Sequence, residues 1–153
     1  MNIVLLEPEI PMNTGNIGRS CVLTGSTLHL IRPLGFLLTD KEIRRSGLDY
    51  WAHLDLCVYD DRADFERQNP NARCFYASTH AKQLYSDVRY RPDDYIFFGK
   101  ESKGLPKDLL EQHADRAIRI PMDTTHARSL NLSVSAAVVL YEALRQQGFE
   151  GLR

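Results

Sequence analysis

Short apolar runs alternate along the chain with segments of helical periodicity. The apolar runs are rich in β-branched and aromatic residues, show little polar alternation, and cover residues 2–6, 28–31, 54–59, 74–77, 95–98 and 117–120. Runs of this kind are typical of strands that are covered on both faces. Because helical patterns lie between them, we predict an α/β fold with a mostly parallel sheet flanked by helices.

The predicted helices cover residues 15–25, 40–46, 61–68, 107–111 and 132–146. In the last of these, an apolar face recurs at helical spacing and is predicted to be buried; it consists of Val134, Ala137, Val138, Tyr141 and Leu144. Parallel sheets bind ligands at the carboxyl ends of their strands. The residues that directly follow each strand are therefore expected to carry the chemistry.

Length and composition restrict the possible partners. The 153 residues fit a single domain at residues 1–153, and 43% hydrophobic residues supply a sizeable core. Lys+Arg 19 against Asp+Glu 20 leaves a formal charge of −1, so an RNA site must be a local basic patch. Three cysteines and five histidines lack ligand spacing, which predicts no metal site. No signal peptide or long apolar run is present, and a cytoplasmic protein is expected.

The segment after the first strand opens a helix, and Asn13 or Thr14 is suited to cap it. If Ile17 and Cys21 line the buried side of this helix, Arg19 points roughly the opposite way, because two residues turn a helix by about 200°. Arg19 is then either a contact for a phosphate or sugar or an ordinary solvated arginine. The glycine patterns of dinucleotide-binding and phosphate-binding loops are missing, which disfavours nicotinamide chemistry and nucleotide hydrolysis.

Two later segments each have a functional and a purely structural interpretation. Glu101 is the one acid between Gly99 and Gly104, in a loop that is either a ligand-binding turn or an ordinary strand-to-helix turn. Ser129 and Asn131 precede the last helix and are natural caps.

Two further features are weaker. Tyr141 lies on the apolar stripe of the last helix and is either functional or, slightly favoured, a core tyrosine. The basic cluster of Lys41, Arg44 and Arg45 is either an RNA-backbone contact or a solvated helix face.

Together these segments resemble the SPOUT methyltransferases, the trefoil-knotted α/β enzymes that methylate RNA. The similarity is closest to the TrmL-like (YibK-like) branch of the TrmH-like group. It is carried by LEPEIPMNTGNIGR, by LGF and RRSGLDY, by FFGKESKGLP, and by IRIPM followed by RSLNLSVSAAVVLYEALRQ. These motifs occur in order over nearly the whole chain.

The resemblance implies a deep C-terminal trefoil knot and the use of S-adenosylmethionine, with S-adenosylhomocysteine as product and no metal. It implies 2′-O-methylation of the wobble cytidine or uridine ribose in the tRNA anticodon loop. It also implies a homodimer whose active sites draw on both subunits. The alternatives are 2′-O-methylation at another tRNA or rRNA site, and a catalytically silent knotted RNA-binding factor.

The resemblance also assigns residues. The catalytic group is Arg19, Asn13, Glu101, Ser129, Asn131 and Tyr141. The cofactor-binding group is Ala77, Ser78, Thr79, Gly99, Glu101, Ile120, Met122, Ser129 and Leu130. RNA contacts are expected from Arg19, Lys41, Arg44 and Arg45. Because a guanidinium is a poor base, Arg19 is expected to orient the ribose and an adjacent phosphate and to stabilise the developing alkoxide.

The chain departs from the family pattern at several points. Lys100 replaces the usual proline, and Lys103 stands where arginine is common. The stretch at residues 123–128 is a residue longer, and Ser-Thr-His-Ala follows Ala77 in place of Thr-Thr-Lys-Gly. These differences affect the loop conformation and the choice of substrate.

Overall fold

The computed structural model describes residues 1–39, 41, 43 and 50–153. Within these residues, seven strands form one parallel sheet in the order β3-β2-β1-β6-β4-β7-β5. The strands are β1 Asn2–Leu6, β2 Thr27–Ile31, β3 Leu56–Tyr59, β4 Cys74–Ala77, β5 Gln83–Leu84, β6 Tyr95–Phe98 and β7 Ala117–Arg119. The helices whose full extent lies in the described part of the chain are α1 Pro11–Thr24, α2 Arg62–Gln68, α3 Lys107–Gln112 and α4 Leu132–Gln146. Single 3-10 turns lie at Trp51–His53 and Ala114–Arg116.

The predicted α/β fold and its six strands are confirmed, with boundaries that move by two residues at most. The two-residue strand β5 is an addition, because Gln83 and Leu84 carry no strand pattern of their own and pair only with the neighbouring β7. The helix predicted at residues 40–46 falls on a segment of which only Lys41 and Ile43 are described.

The sheet is covered on both faces, as its continuous apolar runs predict. Ile3 and Leu5 face the layer of α1 and α4, where Ile17, Cys21 and Leu140 complete one core cluster. The alternate residues of β1 face the layer of α2 and α3, where Phe65 and Leu109 belong to a second cluster. Because successive side chains of a strand point to opposite faces, this one sheet has a hydrophobic core on each of its faces.

The prediction for the buried face of α4 is correct only for Leu144 and wrong for the other four residues. The residues that α4 buries are Ala136, Val139, Leu140, Ala143 and Leu144. Val134 and Tyr141, from the predicted face, are 47% and 45% exposed. Because α4 is apolar on two sides, periodicity alone does not decide which side packs on the sheet. The chain leaves the second apolar side on the surface.

Candidate active site

A cavity of about 670 Å³ opens at the carboxyl ends of β4, β6 and β7. Its lining includes each residue that was predicted to bind the cofactor: Ala77, Ser78, Thr79, Gly99, Glu101, Ile120, Met122, Ser129 and Leu130. Asn13 and Asn131 also line it. The sequence motifs that lie far apart along the chain therefore meet at one edge of the sheet, as expected for a parallel α/β fold.

Glu101 caps helix α1 from a distant loop. Its carboxylate accepts hydrogen bonds from the backbone N–H groups of Glu9 and Ile10 at 2.7 and 3.1 Å, and from the Asn13 amide at 3.1 Å. A carboxylate is favourable here because the amino end of a helix carries partial positive charge and unpaired N–H groups. The interaction fixes the first turn of α1 relative to the loop that follows β6.

The predicted cap by Asn13 or Thr14 is wrong, because the helix begins at Pro11 and both residues lie inside it. Both side chains are buried, and the Thr14 hydroxyl has no hydrogen-bond partner within the part of the chain that the structure describes. A local capping rule misses this arrangement since the acceptor comes from Glu101, about ninety residues away in sequence.

Asn131 joins the last motif to the first. Its amide nitrogen donates to Asn13 Oδ1 at 3.0 Å, while its own Oδ1 accepts from the N–H and hydroxyl of Ser133 at 2.8 and 2.7 Å. Asn131 is therefore the predicted cap of α4 and a link to α1 at once. We call Glu101, Asn13 and Asn131 the clasp, because together they tie three separate motifs into one hydrogen-bonded chain.

Two glycines allow the backbone to come close enough to form this site. A Cβ on Gly99 would lie 2.0 Å from the Gly104 carbonyl carbon, so the loop after β6 closes tightly only with glycine at position 99. A Cβ on Gly35 would lie 2.6 Å from the Glu9 carbonyl oxygen. The LGF motif thus packs its glycine against the loop that Glu101 also holds.

The loop after β1 is held by two further contacts with the loop after β6. The Glu9 carboxylate accepts hydrogen bonds from the N–H and hydroxyl of Ser102, both at 2.8 Å, and these bonds lower the Glu9 pKa. Lys100 forms an ion pair with Glu7, whose backbone is left-handed at φ 53°. A left-handed conformation is uncommon for a residue other than glycine and is often found beside functional sites. The lysine at position 100 therefore has a specific partner in this chain.

Arg19 projects from the exposed side of α1 and stacks on an aromatic ring. Its guanidinium carbon lies 5.0 Å from the centre of the Tyr50 ring. The Tyr50 hydroxyl donates to the Gly15 carbonyl at 2.6 Å, and burial raises the pKa of that hydroxyl, which favours its neutral, donating form. Tyr50 is thus fixed to the first half of α1 and supports Arg19. No local sequence signal predicts this role of Tyr50, although it stands in the RRSGLDY segment.

The other predicted site residues that the structure describes lie on the surface. Ile17 and Cys21 are buried while Arg19 is exposed, as the helical spacing predicts. Tyr141 lies on the exposed side of α4 and is not part of the cavity lining within one chain. Lys41 is exposed, whereas Arg44 and Arg45 lie outside the described residues.

The described residues contain neither a metal-binding cluster nor a membrane-spanning helix. Over residues 1–39, 41, 43 and 50–153, no cluster of three or more His, Cys, Asp or Glu side chains is arranged to hold a metal ion. In the same part of the chain, no helix combines the length and apolar character needed to cross a membrane.

Comparison with known proteins gives consistent matches along the chain. The sequence profile of the SpoU rRNA Methylase family matches residues 1–141. A protein of Geobacillus stearothermophilus is 50% identical over 155 residues, covering 99% of this chain and 98% of the relative. The tRNA (cytidine(34)-2′-O)-methyltransferase of Escherichia coli K12 is 48% identical over 153 residues, covering 99% and 96%. A solved structure concerned with the 2-OH methylation of C/U34 on tRNA superposes with a TM-score of 0.91 at 44% identity, covering 96% and 95%.

Proposed function

This chain belongs to the SpoU rRNA Methylase family, and we propose that it methylates the ribose 2′-hydroxyl of nucleotide 34 in tRNA. It is a transferase, and the methyl donor is S-adenosylmethionine. The observation that carries the proposal is the clasp, because it assembles the three motifs of the family at the mouth of one cavity. The similarity over the full chain to a methyltransferase acting on cytidine 34 supports the choice of nucleotide.

The cavity fits the proposed methyl donor. Its volume of about 670 Å³ falls within the range of roughly 300–1,000 Å³ that small-molecule sites occupy. Ile120, Met122 and Leu130 supply apolar surface for a purine and a thioether chain, whereas Ser78 and Thr79 supply polar groups. When bound, the sulfonium supplies an activated methyl group, so the chemistry requires no metal.

The role of the chain is to position the ribose and to stabilise charge. Methyl transfer needs the attacking oxygen in line with the methyl group at about 3–3.5 Å. Arg19 holds the ribose and an adjacent phosphate and offsets the negative charge that develops on the 2′-oxygen. A guanidinium keeps its proton in proteins, so a phosphate oxygen is the better acceptor for the proton of the hydroxyl.

The clasp residues act by position. Both Glu101 oxygens accept hydrogen bonds: one from Glu9, just before α1, and the other from Ile10 and from Asn13 in the helix. This carboxylate therefore serves to anchor the start of the helix. Asn13 and Asn131 then fix α1 relative to the loop at residues 123–131, which carries Ser129 to the cavity. Arg19 lies two turns further along the same helix, so the clasp sets its distance from the cofactor site.

The second apolar side of α4 supports a homodimer. Val134 and Tyr141 on α4 and Leu23 on α1 are exposed by 47%, 45% and 65%. A two-fold dimer that buries these side chains would carry Tyr141 and Arg19 to the boundary between subunits. In this arrangement Tyr141 contributes to the partner's active site, which accounts for its place outside the cavity of its own chain.

The family resemblance supports the proposed C-terminal trefoil knot and the proposed RNA contacts at Lys41, Arg44 and Arg45. The chain length fits the proposed single domain at residues 1–153, and we also propose a cytoplasmic location. The strand order is compatible with a knot, because β7 inserts between the earlier strands β4 and β5.

The experiment for this function transfers a tritiated methyl group from S-adenosylmethionine to bulk tRNA from a strain without the enzyme. Nucleoside mapping should place the label on the ribose at position 34. Label on a base would contradict the reaction type, and label on another ribose would contradict the position. A catalytically silent RNA-binding factor would show no binding of S-adenosylmethionine in calorimetry.

A further inference from the structure

A second cavity, of about 840 Å³, lies directly beside the active-site cavity. It is formed by the residues that follow β4, by the loop after β6 and by helix α3. The two cavities share seven lining residues: Ser78, His80, Lys100, Lys103, Gly104, Leu105 and Leu110. They are therefore neighbours at the carboxyl edge of the sheet.

Four of the five lysines in the chain line this second cavity. They are Lys82, Lys100, Lys103 and Lys107, which together define what we call the lysine groove. The one carboxylate in the lining is Glu111. In a chain whose formal net charge is −1, this is a marked local excess of positive charge.

Most of this charge is available to a ligand. Lys100 pairs with Glu7, but Lys107 reaches Glu111 only at 3.6 Å and is 90% exposed, so this pair contributes little. Lys82 and Lys103 form no ion pair within the described ranges. The lysine groove thus presents three ammonium groups to solvent.

The floor between the lysines is apolar. It is made by Leu105, Pro106, Leu110, Ala114 and Ala117. Single-stranded RNA carries a line of negative charges, and proteins bind it with a positively charged groove that follows its backbone, to which stacking side chains add affinity. Lysine ammonium groups contact phosphates without reading sequence, because they lack the planar fork of arginine. The lysine groove supplies the positive charge for this mode of binding, and its floor offers apolar surface to the bases.

We propose that the lysine groove binds the RNA strand that flanks the methylated nucleotide, with phosphates on Lys82, Lys103 and Lys107. This inference rests on the proposed function, because it takes RNA as the substrate of the adjoining cavity. When the ribose of one nucleotide occupies that cavity, the next one or two nucleotides of the strand lie beside the groove. The groove also gives a role to Lys103, which departs from the family pattern.

The test uses the double variant Lys82→Gln/Lys107→Gln, since these lysines line the groove but not the active-site cavity. Binding of a fluorescent anticodon stem-loop RNA to the full-length protein is measured by anisotropy over a range of salt concentrations. Two lost phosphate contacts should weaken binding about tenfold and reduce the slope of log K against log salt by about 1.4. The affinity for S-adenosylmethionine should not change.

The matched control is Arg89→Gln/Arg91→Gln, which removes two positive charges from exposed residues just before the amino end of β6. We expect RNA binding and its salt slope to stay close to the wild-type values in this control. An equal loss in both double variants, or no loss in the lysine variant, would overturn the proposal. If only the groove variant loses RNA affinity while the wild type methylates no RNA, the groove is supported as an RNA-binding site and the proposed methyltransferase function is contradicted.

Discussion

Two groups of hydrogen-bonded polar side chains lie in different parts of the same sheet. The clasp lies at the carboxyl ends of the strands and borders a cavity. The other group, which we call the amino-end cluster, lies on the face covered by α2 and consists of Asn2, His29, Tyr59, Asn69 and Tyr95. None of its members lines either of the two cavities.

The amino-end cluster satisfies its own hydrogen bonds. Asn2 donates its amide hydrogens to backbone carbonyls at residues 93 and 94, so its Oδ1 accepts from His29 Nε2 at 3.1 Å. His29 Nδ1 must then accept from the Tyr59 hydroxyl at 2.9 Å. Asn69 donates to Tyr59 and accepts from Tyr95, both at 3.2 Å. A complete buried network of this kind favours one packing arrangement.

The difference between the two groups lies in their surroundings. The Phe65 ring meets the His29, Tyr59 and Tyr95 rings at centroid distances of 6.1, 5.1 and 5.6 Å, and His29 and Tyr59 are only 3% and 4% exposed. The clasp instead joins loops around an open space. The same hydrogen-bond chemistry therefore serves stability in one place and, in the proposed function, the positioning of catalytic groups in the other.

The largest effect is expected from His29→Ala. Removal of the ring leaves a cavity and takes partners from Asn2 and Tyr59, which should lower the free energy of unfolding by about 3 kcal/mol. Methyl transfer per folded molecule should stay within about twofold of wild type. Chemical denaturation and single-turnover kinetics measure the two quantities, with exposed His53→Ala as the control that changes neither. A large loss of methyl transfer in the folded His29 variant would contradict the view that the amino-end cluster serves stability alone.

The pH dependence of stability gives the next effect. Burial lowers the pKa of His29 to about 4, from an ordinary 6.5. Between these values the unfolded chain binds a proton that the folded chain does not. The free energy of unfolding is therefore unaffected by the titration of His29 above pH 6.5 and decreases as the pH falls from 6.5 towards 4. The expected loss is about 3 kcal/mol.

The control for this titration is His29→Phe, which removes the ionisable group and keeps an aromatic ring. The difference in unfolding free energy between wild type and variant should shrink as the pH falls through the window. Burial raises the pKa of Asp94, which acts with the opposite sign, but the subtraction removes its contribution. Parallel curves for the two proteins would show that His29 is not the titrating group.

Glu101→Gln should reduce methyl transfer by about 100-fold, because a small displacement of catalytic groups has effects of this size. A glutamine amide in either orientation turns its NH₂ group towards at least one of the N–H donors of Glu9, Ile10 and Asn13. The free energy of unfolding should fall by only about 1–2 kcal/mol. Steady-state kinetics measures the effect, with Glu66→Gln as a charge-matched control at an exposed residue that lines neither cavity. Unchanged transfer by the Glu101 variant would show that the clasp has no part in catalysis.

Asn131→Asp separates the two functions of Asn131 and should have the smallest effect. The aspartate keeps an acceptor for the Ser133 N–H and so still caps α4, but it loses the donor to Asn13. We expect about a tenfold loss of transfer with stability within about 1 kcal/mol of wild type. The informative comparison is with Asn131→Ala, which should lose stability as well. Equal activity in the aspartate variant and wild type would mean that the link to Asn13 is dispensable.

The sequence predicts the parts of this molecule that depend on local pattern. The apolar runs locate six strands, and the spacing of Ile17 and Cys21 places Arg19 on the outer side of α1. Asn131 is also predicted correctly as the cap of α4.

The sequence does not predict contacts between distant segments. The cap of α1 comes from Glu101, and the ring beneath Arg19 comes from Tyr50, and neither pairing has a local signal. The buried side of α4 was assigned wrongly because both of its apolar sides satisfy the same periodicity. In the proposed homodimer, the exposed stripe that contains Tyr141 packs against the partner subunit.

The most direct measurement is methyl transfer to a tRNA whose nucleotide 34 carries 2′-deoxyribose, compared with the same tRNA carrying ribose. The deoxy substrate lacks only the oxygen that is proposed to receive the methyl group. The proposed function predicts full incorporation of label into the ribose substrate and only background incorporation into the deoxy substrate, with both RNAs bound equally well. Equal labelling of the two tRNAs would contradict the assignment of the enzyme to the 2′-hydroxyl of nucleotide 34.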